Sequence, residues 1–370
     1  MSASPIARKE RGGPLDALRF VAAAFIVLYH FGFDAPRELM SMWEGFGRGW
    51  LSTNFFLMLS GYVLARAYGH QLDQGRVDSG EFFVRRLLRV WPAHVAVLAG
   101  FALILGATTL MGIEPRHPQN YVWPELVVQL FLLEAWGVTH VLGWNAPTWS
   151  LSALVVCYAL FPFLWRGVGR MAPLMALGAA PVVLAGSALA VQAFLGESMY
   201  DLRFDAGLFR GIPLFAVGVL LARGSMGLEL KPSAALTYSL AALVAVILAQ
   251  VAPRSETTAF ATVMAIGTII VAADACRGAT SKLSAWLGRM SFPLYISHAL
   301  GAIVWFGLAR MAADKLGLGE PVQWALWALA FPFVFVVAVV FEKWVDAPLQ
   351  QWIKDLRARR AQRPAPAPSA

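Results

Sequence analysis

Cysteine is nearly absent. Cys157 and Cys276 are the only two in 370 residues, both inside apolar runs and with no metal-ligand spacing around them. That excludes a disulfide framework and a cysteine-based metal site, and leaves both thiols as packing groups. Charge is scarce too: Asp, Glu, Lys and Arg make up 14% of the chain against 58% apolar residues, with a mean hydropathy of +0.61. An ordinary soluble domain is excluded by that balance. No repeat of fixed period and no second domain is evident, which speaks against the paired halves of many transporters. A cleavable leader is not expected, because the first apolar run is long for one and lacks a small-residue cleavage site after it.

What is present in abundance is long hydrophobic runs. About 20 apolar residues cross a bilayer, and such runs lie near 14–33, 51–69, 93–113, 149–166, 173–195, 206–223, 232–251, 258–276, 287–308 and 322–342. The expected fold is all-α, a polytopic bundle of about ten transmembrane helices. One further stretch, 124–142, carries Pro124, Glu125, Glu134 and His140 and is expected to re-enter or lie in the interface. The basic clusters decide that case. Arg8, Lys9 and Arg11; Arg76 to Arg89; Arg166 and Arg170; Arg223 and Lys231; Arg277 to Arg289; and the tail all fall on one side only if 124–142 does not cross. Lys and Arg mark cytoplasmic loops, so both termini are expected in the cytoplasm of a multi-pass cell-membrane protein. The organisation is a basic segment 1–13, a membrane domain 14–345 and a basic, Pro/Ala-rich tail 346–370, disordered over its low-complexity end "RARRAQRPAPAPSA". The net charge of +8 and pI near 9.8 reside in short juxtamembrane loops. Lipid headgroups, not nucleic acid, are the expected partners.

Ionisable residues inside a span face the bundle interior or a wet cavity. At about 100° per residue, Asp16, Arg19 and His30 share one face of the first run, a polar stripe that should line a passage towards His30. An imidazole can deprotonate a hydroxyl near neutral pH, or carry an acyl group transiently; a histidine hydrogen-bonded between helices is the plain alternative. Asp34, one turn on, either fixes the ring tautomer or is a solvated loop carboxylate. Arg85, Arg86 and Arg89 crowd the entry to the third run, where they either anchor the span or grip a polyanion with several phosphates. "NAPTWSLS" at 145–152 brings Trp149, an interfacial aromatic, with Ser150 and Ser152 as capping groups. Ser60 and Gly61 sit mid-span, as close helix packing requires.

The ordered segments "LDALRFVAAAFIVLYH", "FFLMLSGYVLARAY", "RRLLRVWPAH", "PTWSLS...YALFPFL", "LGRMSFPLYISH" and "FEKWVDAPL" resemble the membrane-bound acyltransferase 3 family of O-antigen and exopolysaccharide acetylases. The resemblance covers essentially the whole chain. It implies a ten-span enzyme that takes an acyl group, usually acetyl, from cytosolic acyl-CoA and attaches it to a hydroxyl of an extracytoplasmic glycan or lipid-linked sugar. The acyl-CoA is then a donor and not a permanently bound cofactor, and no metal is implied. The resemblance makes His30 catalytic and Arg19 functional, and links Arg85, Arg86 and Arg89 with the donor. Arg210, in "LFRGIPLFAVGVLLAR", meets either the acceptor or a headgroup, and Trp149 and Ser150 lie on the acceptor's side. His298 either lines the donor passage or, as favoured, is a satisfied interhelical histidine.

Two departures stand out. Leu154 holds a position where many relatives carry Glu, which leaves Glu134 and Asp205 as the nearby carboxylates to assist His30. Asp346-Ala347-Pro348 stands where Glu-Arg-Pro is common, a variation at the end of the last helix.

Overall fold

The computed structural model describes residues 13–361 apart from positions 227, 229, 277 and 279, so nearly all of the basic N-terminal segment and the last residues of the tail lie outside the described residues. The helices are α1 (Pro14–Phe31), the short α2 (Leu39–Met42), α3 (Trp50–Asp73), α4 (Ser79–Leu110), the short α5 (Trp123–Leu130), α6 (Trp149–Val168), α7 (Pro173–Leu195), α8 (Gly207–Ser225), α9 (Pro232–Val251), α10 (Glu256–Ala275), α11 (Lys282–Leu316), α12 (Glu320–Phe341) and α13 (Ala347–Ala361). Strands are absent among the described residues. Nine of these helices are long and apolar enough to cross a membrane, as befits a multi-pass membrane protein.

α3 is a tenth long helix, 24 residues, or roughly 36 Å, and covers the run expected at 51–69. Its polar residues keep it less apolar than the others because it packs inside the bundle, where Ser52, Thr53 and Asn54 are buried. Gly61 and Gly218 let α3 and α8 meet backbone to backbone: a Cβ at Gly61 would lie 2.1 Å from the Phe215 carbonyl oxygen, and one at Gly218 2.0 Å from that of Met58. Small residues at such a seam let helices close where lipid gives no hydrophobic drive.

The stretch at 124–142 does not form a crossing helix. α5 has eight residues, roughly 12 Å, and the chain then turns through Leu132 at φ 54° and Gly137 at φ 76°. Irregular backbone at membrane depth has to be satisfied by protein, and here it is. Trp91 donates to the Leu130 carbonyl at 2.8 Å, His94 to that of Gln129 at 2.7 Å, and the Ser152 hydroxyl to that of Leu132 at 2.6 Å. Helix directions agree with this count. Asp16 of α1 lies against Gly288 of α11, and His30 against His298 further along both, so the two helices run parallel. Seven long helices separate them; if each crosses once, α11 is the ninth crossing and runs as α1 does, whereas an extra crossing at 124–142 would have reversed it.

Several boundaries differ from the sequence expectation, and two of them move residues of interest. α4 begins at Ser79 and not near 93, so the three arginines are on the helix itself, their long stems able to reach past apolar neighbours. α12 does not stop near 342. It continues through a π-helical turn, Glu342–Asp346, into α13, which is helical to Ala361, so the part of the low-complexity tail before residue 362 is ordered. Pro348 does not break it because it follows directly on the π-helical turn, where the regular i→i−4 bonding is already interrupted.

The start of α4 carries a testable cap. The Asp78 carboxylate accepts from the backbone N–H of Gly80 at 3.2 Å and of Glu81 at 2.9 Å, and those bonds hold its pKa below the usual carboxylate range. A depressed folded-state pKa contributes stability above the unfolded value that is lost as pH falls through the folded one. Hydrogen exchange should therefore show the Gly80 and Glu81 amides exchanging faster in Asp78→Ala, and in the wild-type protein once pH drops below the carboxylate range. Unchanged protection in the variant would remove the cap.

Candidate active site

The parallel packing of α1 on α11 brings together two histidines 268 positions apart. His30 Nδ1 lies 2.8 Å from His298 Nε2. Their ring centroids are 5.0 Å apart and their planes within 12°, the edge-to-edge arrangement an in-plane hydrogen bond needs. His298 is fully buried, and its Nδ1 faces the Tyr295 carbonyl at 2.8 Å and that of Leu294 at 3.3 Å. A carbonyl only accepts, so Nδ1 of His298 carries the proton and its Nε2 offers a lone pair. His30 must then donate from Nδ1, which leaves the lone pair on its own Nε2. Among the described residues nothing hydrogen-bonds that nitrogen, and it is not sealed from solvent. The result is a neutral imidazole held in one tautomer with its basic nitrogen free.

Asp34 is not the group that fixes the tautomer. Its carboxylate takes Arg116 and Arg310, each at 3.0 Å. Neither carboxylate suggested in place of the missing Glu bonds to His30 either. Glu134 is buried under the start of α6, where the Thr148 hydroxyl reaches it at 2.7 Å, and Asp205 bonds to His140 at 2.7 Å. Leu154 has no carboxylate to offer. A histidine from α11 does the orienting instead, a pairing visible in the sequence only to a reader who already knew that α1 and α11 run side by side at the same height.

The remaining expected residues divide. Asp16 and His30 both lie against α11, and Arg19 pairs with Asp16 at 3.8 Å. Arg89 reaches Asp346 at 2.9 Å and lies 4.8 Å over the Phe292 ring, so the aspartate of the variant closing motif is its counter-ion. Arg86 stacks 4.5 Å over Tyr68, bonds to its hydroxyl, and keeps a buried Nε without a partner. Arg85 is not drawn into this group; it turns to Glu81, which also holds Arg357 of α13 at 3.1 Å. Trp149 and Arg210 come together, the guanidinium 4.5 Å over the indole. Arg210 is 6% exposed and reaches only the Leu202 and Tyr200 carbonyls, at 3.4 and 3.5 Å. Ser150 stands apart from that pair and bonds to the Tyr295 hydroxyl at 2.7 Å. Because Tyr295 gives its own proton to the Pro147 carbonyl, Ser150 is the donor. This ties the start of α6 to the turn of α11 that holds His298.

Asn145 was not singled out by its type. Its side-chain amide donates to the Ile296 carbonyl at 3.1 Å while its backbone N–H donates to the Gln129 side-chain oxygen at 2.8 Å, so the irregular segment, α6 and α11 are clamped at one level.

A model of an acyltransferase domain matches residues 14–343. The chain belongs to the acyltransferase 3 family. Among similar proteins, one named acyltransferase MdmB, from Streptomyces mycarofaciens, is 27% identical over 297 residues, 75% of this chain and 73% of that one. Another, called protein 2 in picA locus, from Rhizobium radiobacter, is 32% identical over 175 residues, 44% of this chain and 84% of that one. No solved structure matches. The protein is thus an acyl-transferring membrane enzyme, and as an acyltransferase 3 member it carries its histidine pair where the first span meets the last but one.

Proposed function

We propose that the protein is an O-acyltransferase, and more narrowly an O-acetyltransferase, that moves an acyl group from cytosolic acyl-CoA to a hydroxyl of a carbohydrate or glycoconjugate on the outer side of the cell membrane. The observation that carries this reading is the His30–His298 pair, with a free Nε2 on His30 at the far end of α1 from the arginines. His30 Nε2 takes the proton of the acceptor hydroxyl, whose oxygen attacks the thioester carbonyl. The tetrahedral intermediate then expels the thiolate as the C–S bond breaks, and the thiolate recovers the proton from His30. The products are the ester and free CoA. General-base help of this kind contributes about 10²–10⁴-fold.

The two ends of α1 suit the two substrates. CoA phosphates cannot enter hydrocarbon cheaply, so the nucleotide stays among the arginines, and Arg19 to His30 is a rise of roughly 16 Å along α1 for the acyl-bearing arm to span. The basic loops support cytoplasmic termini, which puts His30 towards the outer face. Trp149 and Arg210 would meet the acceptor there, as a stacking surface and a buried cation lacking a carboxylate partner among the described residues.

The test is mass spectrometry of envelope glycans from cells lacking the gene, complemented with wild type or His30→Ala at matched membrane abundance. An ester restored by wild type alone is expected, and its mass identifies the acyl group. The same ester from His30→Ala would make His30 structural. No ester from either would remove glycans as acceptors and turn the search to small hydroxylated metabolites.

A further inference from the structure

Phe82 of α4 and Phe161 of α6 pack ring to ring, with centroids 5.0 Å apart. α4 and α6 run in opposite directions, so one turn on from Phe82 lies Arg86, and one turn back from Phe161 lies Tyr158. The two therefore stand at the same level on facing helices. Arg89 follows on α4, over Phe292 of α11, four residues beyond the Gly288 that seats Asp16, the partner of Arg19. Charges of Arg86, Arg89 and Arg19 all reach the Tyr158 ring. Tyr158 is itself 7% exposed, yet its hydroxyl has no hydrogen-bond partner among the described residues and is not sealed off.

A buried tyrosine hydroxyl normally finds a partner. Guanidinium groups are donors only, so they cannot accept its proton, and the group that completes this arrangement must bring acceptor oxygens and negative charge. Asp346 serves Arg89 and Asp16 serves Arg19, whereas Arg86 has a single hydrogen-bond partner, the Tyr68 hydroxyl, no carboxylate among the described residues, and an unpartnered buried Nε. We infer that Tyr158 and Arg86, flanked by Arg89 and Arg19, form a phosphate-binding site inside the bundle, in which the Tyr158 hydroxyl donates to a phosphate oxygen of the acyl donor. Arg85 lies outside this site, turned to Glu81 and α13. The inference rests on acyl-CoA being the donor, and it moves the grip on the phosphates from the surface run of arginines to side chains that α1, α4 and α6 bring to one level.

Binding to the purified full-length protein in lipid nanodiscs tests it, with CoA and the phosphate-free fragment pantetheine as probes. Tyr158→Phe keeps the ring and should melt as wild type does. It should weaken CoA binding about tenfold, the worth of one hydrogen bond to a charged group, while leaving pantetheine binding unchanged. Arg86→Gln should weaken CoA more, and adding salt should narrow the gap between it and wild type. If Tyr158→Phe binds CoA as tightly as wild type, or loses CoA and pantetheine in equal measure, the site is wrong although the donor reading stands. If wild type binds no CoA, the donor reading falls and this inference with it.

Discussion

Turnover should fall about a hundredfold in His298→Ala, with the affinity for acyl donor unchanged. The variant leaves His30 without the acceptor that holds its proton on Nδ1, so the ring can rotate and populate the tautomer with the proton on the reacting nitrogen. The loss sits at the lower end of the 10²–10⁴ span of general-base catalysis, because His30 itself remains. His298→Gln should recover part of the rate: its side-chain oxygen can accept from Nδ1, as His298 Nε2 does at 2.8 Å. Steady-state kinetics on membranes, with kcat and the donor KM separated, decide the matter. Equal kcat for wild type and His298→Ala would reduce the pair to packing, and a raised KM at constant kcat would assign His298 to the donor instead.

The second large effect is on folding. Gly218→Ala should destabilise the protein by about 1–3 kcal/mol or more, as overpacking of a closed interface does, since the new methyl would sit 2.0 Å from a backbone oxygen that no rotamer change can move. Gly61→Ala strikes the same seam from the other helix, at 2.1 Å from the Phe215 carbonyl oxygen. The double variant should lose less than the sum, because one displacement of α3 from α8 relieves both clashes. Gly178→Ala is the matched control, a helical glycine with nothing within 4 Å of the added atom. Melting in detergent by fluorescence or calorimetry reads the difference. A Gly218→Ala protein that melts with wild type would mean α3 and α8 are not in backbone contact.

Much of this was legible in one dimension. Runs of about 20 apolar residues have one outcome in a bilayer, so the long helices and the polar stripe of α1 followed from composition and period. Pro124, Glu134 and the distribution of arginines were enough to keep 124–142 from being read as a crossing. Arg85, Arg86 and Arg89 read as one cluster because they are adjacent in sequence. Their side chains go to three different places, since each is drawn to the partner its own direction offers: Glu81, Tyr68 or Asp346. His298 was read as a satisfied histidine between helices, and it is hydrogen-bonded, but its partner is His30. Tyr158 lies at the head of "YALFPFL", part of a segment that carried the family resemblance, but no role was read for it, because a tyrosine in an apolar span looks like any other until the arginines of two other helices surround it.

By itself, then, the sequence determined a membrane-embedded helical bundle, because hydrophobic length and in-helix periodicity are local properties, while its ordered motifs carried the family resemblance and with it the expectation that His30 is catalytic. Only the tertiary structure decided which nitrogen of His30 is basic and what holds it so. Hydrogen bonds from α1 to α11 join residues 268 positions apart, and no local pattern records which two helices a bilayer will press together, in which direction, or at what height.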